Sequence, residues 1–422
     1  LTARLLAVAL AVMLVSGEVA LAQTPIAGPT PGASGPSPPP VVSARPTTPE
    51  EAGLWDLADE SERDARNAAE LNTDPALNAY LRDLACRVAA GRCAEIRLYV
   101  MNRPFFNAMM APNGYTEIWS GLLLRADNEA EAAFVIGHEI GHFTEQHSIV
   151  MQDVIQDRMT AAMVAGMVLG AAAAGAAVNS PNSVGAISDA ASALSNIVYL
   201  GTIASVFGFS RDMEDDADRL GFERAIEAGY DPRAGADLWR SLVEETQASD
   251  NPRTRRSITR GSIFSTHPVT GDRIARLDQM AAERGASGAL HQERYRAAIR
   301  PFLGRWLRDD LRRRDYGQSL FLIARLGRRG EDLGVLRYYE GEAYRLRRGE
   351  GDLARAQEAY AAALFHPDAP AEAHREHGTA LLRTGDRAGA AAAYETYLAL
   401  APGALDRALV EQDIAALRAA QP

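Results

Sequence analysis

His138 and His142 stand four residues apart in the run "VIGHEIGHF" (135–143), with Glu139 beside the first, in a chain that holds only eight histidines. On an α-helix, residues four apart project from the same face one turn apart. Two imidazoles therefore address one point in space, and the glutamate lies one residue round from them. A tetrahedral zinc needs such a pair, and the H-E-x-x-H spacing puts the carboxylate where it can act as general base on a water at the metal. No other feature constrains the chain as tightly. It requires a helix here, and a second segment that returns to supply another ligand. Asn128 with Glu131 three residues later fits a capping box, which starts the helix at about Glu129. His147 lies about half a turn round a straight helix from His138 and is read as structural.

The second segment is "FSRDMEDDADRLGFERAIEAGYDP" (209–232), a helical pattern in which Glu214 and Asp218 share a face. Glu214 is the expected third ligand. Asp218 is expected to hydrogen-bond a ligand histidine and fix its tautomer. Two histidines, one glutamate and an open position make the donor set of a hydrolytic zinc rather than a structural one.

"VIGHEIGHF", "SRDMEDDADRLG" (210–221) and "STHPVTGDRI" (265–274), in that order, resemble the HtpX-like, CAAX-prenyl-protease-related zinc metallopeptidases, peptidase family M48. "DPALNAYLRDLACRVA" (74–89) and "FNAMMAPNGYTEIWSGLL" (106–123) are similar as well. The resemblance implies one zinc per chain on His138, His142 and Glu214, with Glu139 as catalytic base. It also implies a substrate-pairing edge strand ahead of the metal helix. His267 and Arg273 fall on the family's H-P…R motif. Either could stabilise an oxyanion, and His267 could instead occupy the open metal position.

The rest of the chain sets the context. A formal charge of −11 argues against nucleic acid as a partner. Residues 1–22 read as a cleavable signal peptide: Arg4, an apolar run Leu5–Val15, then Ala20-Leu21-Ala22. Residues 23–49 read as a Pro-rich linker. Export makes a disulfide between Cys86 and Cys93 the expectation. Strand-like runs at 95–102 and 114–120 flank a turn signal at Pro112-Asn113-Gly114. Residues 159–210 carry one charge, Asp189. They are expected to form an apolar hairpin that packs over the site or touches a membrane surface, and a pair of membrane spans is the alternative.

Toward the C-terminus, Gly351/Gly385, Ala356/Ala390, Ala359/Ala393, Tyr360/Tyr394 and Leu364/Leu398 repeat at the 34-residue period of tetratricopeptide motifs.

The expected fold is α+β and mostly helical. A zincin-like peptidase domain with a small antiparallel sheet (50–286) precedes an all-α tetratricopeptide-like domain (287–422). The layout looks like that of the periplasmic BepA-type members of the family. The expected function is an exported zinc endopeptidase acting on misfolded or assembling envelope proteins, with the repeats recognising substrate or a protein partner. A chaperone or assembly adaptor with a gated site, and an intramembrane peptidase, are the alternatives.

Overall fold

The structure, a computed structural model, describes residues 46, 48–151, 210–257, 269, 271–285 and 287–419. The expected signal peptide, most of the linker, His267, and the apolar stretch 159–210 except Ser210 lie outside the described residues.

Helix α1 (Pro49–Asn67) is capped by the Thr48 hydroxyl. Helix α2 (Pro75–Val88) starts as its sequence dictates: Asp74 accepts from the Leu77 amide at 2.9 Å, and Pro75 takes a first-turn position where no amide donor is needed. Its apolar stripe, Leu77, Leu81, Leu84 and Val88, is buried. A disulfide joins Cys86, near the end of α2, to Cys93 just before the first strand, with the two Cα atoms 4.7 Å apart.

Strands β1 (Arg97–Met101), β2 (Ala108–Met110) and β3 (Tyr115–Trp119) form a sheet in the order β1-β3-β2. This corrects the expected antiparallel sheet. β2 pairs antiparallel with β3, but β1 pairs parallel with it, so the sheet is mixed. The predicted turn does not join the two strand-like runs. It closes the β2–β3 hairpin, where Gly114 has φ +85° and any Cβ would collide with the Glu95 carbonyl. The hairpin occupies one side of β3. The chain leaving β1 must therefore pass to the far edge, and β1 is left to pair with the other side.

Helix α3 (Ser120–Arg125) leads into α4 (Glu129–Thr144), the helix of the two histidines. The cap forms as expected, with Asn128 Oδ1 accepting from the Glu131 amide at 3.0 Å, but the Glu131 carboxylate reaches back one residue farther than in a capping box and accepts from the Asp127 amide at 2.8 Å. Burial pushes the Glu131 carboxyl up to about 8.

Helix α5 (Arg211–Glu227), capped by the Ser210 hydroxyl, crosses α4 at backbone contact. Gly137 and Gly141 on α4 face Gly221 and Ala217 on α5, two small-residue pairs one turn apart. A Cβ on Gly221 would sit 2.8 Å from the His138 amide nitrogen and 2.9 Å from the Phe134 carbonyl oxygen. Neither neighbour is a side chain that could rotate away. Gly221→Ala should therefore weaken the fold despite the roughly 1 kcal/mol that alanine gains over glycine in a helix. Overpacking costs about 1–3 kcal/mol, and α5 would be displaced from α4. Denaturant unfolding of metal-free protein is expected to show the loss, and zinc titration a weaker site. Unchanged unfolding and affinity would mean that the crossing tolerates a methyl.

Helices α6 (Ala234–Gln247) and α7 (Gly271–Arg284) complete the surroundings of the crossing. The helices that follow share its core. Tyr295, Trp306 and Leu307 lie in one apolar cluster with Leu77, Phe134 and Trp239. Beside them the buried Arg125 guanidinium pairs with Glu245 of α6 at 2.7 Å and with Asp310 at 2.7 Å. A buried charge is tolerated only when paired in this way.

Farther on, helices Leu333–Arg347 and Asp352–Ala363 pack as a pair, as do Glu372–Arg383 and Arg387–Leu400. The same contact recurs in both pairs. Gly341 lies under the Tyr360 ring and Gly378 under the Tyr394 ring, so that a Cβ on either would strike the ring. Each tyrosine hydroxyl then reaches the residue after that glycine, Glu342 at 2.6 Å and Thr379 at 3.1 Å.

Candidate metal centre

His138 and His142 project from one face of α4 with their Nε2 atoms 3.0 Å apart. Across the glycine crossing, Glu214 in the first turn of α5 brings Oε2 to 3.6 Å from His138 Nε2 and Oε1 to 3.5 Å from His142 Nε2. All three side chains are at most 2% exposed. Among the described residues they are the one group of three or more potential metal donors that converge. A tetrahedral ion with arms of about 2.1 Å separates its donors by roughly 3.4 Å, so the spacings fit a divalent metal held by two imidazoles and a carboxylate.

Behind the three donors lies a charged layer. Asp218, one turn along α5 from Glu214, sets Oδ1 3.0 Å from His138 Nδ1. Arg273 of α7 donates from Nε and Nη2 to the two Asp218 oxygens, both at 2.7 Å, and its Nη1 lies 2.7 Å from Glu214 Oε2. Burial alone would push the Asp218 carboxyl up, but the Arg273 charge and the hydrogen bonds from Arg273 and His138 hold it at about 2. Among the described residues, two buried carboxylates therefore face one buried guanidinium, a balance that a bound cation would complete. The guanidinium also stacks over the Trp239 ring, 5.2 Å from its centroid.

Arg273 was expected where an oxyanion would form. The contacts described for it are to both oxygens of Asp218 and to Glu214 Oε2. His267, the other residue expected there, lies outside the described residues. Glu139 lines a small cavity with Phe106, Ala108, Val135, His138 and Trp239, alongside edge strand β2. A second cavity, about 190 Å³, lies off the other end of β2, between Met110, Pro112, His142, Phe143 and Trp55.

One further contact reaches the centre from beyond the metal helix. Helix α4 ends at Thr144, and the chain reverses at Gln146, a non-glycine residue with φ +55°. This folds the buried His147 back until its Nδ1 is 2.9 Å from His142 Nδ1. Burial pushes the His147 imidazole below its ordinary pKa, which favours the neutral form. A straight helix would have carried His147 away, and glutamine carries no turn signature that could have warned of the reversal.

The sequence model of peptidase family M48 matches residues 71–281. The beta-barrel assembly-enhancing protease of Escherichia coli strain K12 is 25% identical over 217 residues, covering 50% of this chain and 40% of that protein. Its namesake in Yersinia pestis is 25% identical over 233 residues, covering 53% of this chain and 44% of that one. The mitochondrial metalloendopeptidase OMA1 of Danio rerio is 29% identical over 188 residues, covering 44% of this chain and 35% of its own. In each case the match spans less than half of the relative's length.

Proposed function

The chain belongs to peptidase family M48, and on that premise we propose that it is an exported zinc-dependent endopeptidase acting on cell-envelope proteins during their assembly or quality control. One observation carries the reading: His138, His142 and Glu214 converge from two helices at tetrahedral spacing, with Glu139 on the cavity beside them. Zinc bound there would supply Lewis acidity at its open position. The remaining steps belong to the chain. His138, His142 and Glu214 hold the ion. Glu139 takes a proton from the attacking water and returns it to the leaving amine. Arg273 and Asp218 hold Glu214 and His138 in place.

An extended substrate adds as a further strand along β2, the edge of the described sheet nearest α4. The two cavities at the ends of β2 then receive side chains on either side of the scissile bond. The names of the beta-barrel assembly-enhancing relatives support envelope substrates, and the signal-like N-terminal sequence supports export. The duplicated helix pairs support a tetratricopeptide-like module that recognises substrate or a protein partner. Among the described residues no helix is long and apolar enough to cross a membrane.

The test is cleavage of an unstructured casein by the purified full chain. Activity should disappear with a zinc chelator and return with added zinc. Cleavage that persists at full rate after the metal has been stripped would exclude the reading.

A further inference from the structure

We propose that His147 is a positioning residue for the metal centre: it accepts the Nδ1 proton of His142 and so commits His142 Nε2 to the metal. The inference rests on the zinc reading above and deepens it.

The two histidine ligands present the same nitrogen to the centre. Their Nε2 atoms lie 3.0 Å apart, and each is within 3.6 Å of a Glu214 oxygen. A neutral imidazole can offer a lone pair at Nε2 only when its proton is on Nδ1. Each ligand therefore needs an acceptor behind it. His138 has Asp218 Oδ1 at 3.0 Å. For His142 the group in the equivalent place is His147 Nδ1, at 2.9 Å and in a buried setting. Two ring nitrogens that close require one donor and one acceptor. With His142 donating, His147 accepts at Nδ1 and carries its own proton on Nε2.

The backbone supports the same reading. The left-handed conformation at Gln146 is unfavourable for a glutamine, and it is what returns His147 to His142 rather than letting α4 continue. The two ligands are thus held by different chemistry. A carboxylate locked by Arg273 stands behind His138, and an imidazole behind His142.

The experiment compares the full-length wild type with His147→Leu and His147→Asn. Each is freed of metal, checked for folding by circular dichroism, and titrated with zinc against a competing chelator. Leucine fills the space but accepts no hydrogen bond. Asparagine keeps an acceptor oxygen close to the position of Nδ1. His147→Leu is expected to lose zinc affinity by about 10–100-fold, the usual cost of removing a group that orients a metal-bound histidine. His147→Asn is expected to recover most of it. In the zinc-loaded proteins, an exchange-protected imidazole N–H signal from His142 should appear in the wild type and the asparagine variant and be lost in the leucine variant. Leucine binding as tightly as wild type, or more tightly than asparagine, would mean that His147 only fills space, and the proposal falls. A wild type that binds no zinc at all overturns the metal reading itself, which is a different result from wild-type affinity in the leucine variant.

Discussion

Replacing Glu139 by glutamine should leave zinc bound and reduce peptide cleavage by about 10²–10⁴-fold, the usual contribution of a positioned general base. The expectation follows from where the residue sits. Glu139 shares α4 with both histidines but is one residue round from them, on the cavity beside β2, and it is not in the converging donor group. Glutamine keeps the size and polarity of the side chain and removes only its basicity. Metal content is read by elemental analysis, and activity by the rate of casein-fragment release. A glutamine variant that cleaves at the wild-type rate would show that another group takes the proton. A variant that has lost its metal would show that Glu139 is a ligand, against the geometry described here.

The second large effect is expected at Glu214. Glu214→Ala removes one of three protein donors, and it takes one of two buried carboxylate partners from the Arg273 guanidinium, which is 4% exposed. The loss of a direct ligand should exceed the 10–100-fold typical of an orienting group, so zinc affinity should fall by more than about 100-fold. The metal-free variant should nevertheless stay folded, because Asp218 still pairs with Arg273 through two bonds at 2.7 Å. Retained affinity in a folded Glu214→Ala protein would place the third ligand elsewhere. Loss of the fold in the metal-free variant would make Glu214 a structural partner of Arg273 before it is a ligand.

The residues that meet at this centre were legible because helical geometry is local. A spacing of four places His138 over His142, and the same spacing places Asp218 over Glu214, without knowledge of the rest of the chain. Asn128 and Asp74 marked helix starts for the same reason: each acts on amides within three residues of itself. What the sequence did not show depends on distant or unsignalled geometry. The pairing of β1 with β3 is parallel and therefore non-local. β2, three residues long, is too short to display an alternating pattern. The close passage of Gly221 over His138 joins positions 83 residues apart (221 − 138), and a glycine inside a helical pattern does not name its partner. Arg273 sits in a motif that suggested chemistry, and it meets Asp218 and Glu214 from a third helix. Which role it takes depends on the docking of α7, and no local pattern fixes that.

Whether His138, His142 and Glu214 hold a metal is decided by X-ray absorption at the zinc edge of the purified full chain loaded with one equivalent of zinc. A single bound ion is expected, with nitrogen and oxygen neighbours at about 2.0–2.2 Å and the outer-shell scattering of at least two imidazoles. Sulfur neighbours at about 2.3 Å, or zinc that stays in solution with no imidazole signature, would contradict it.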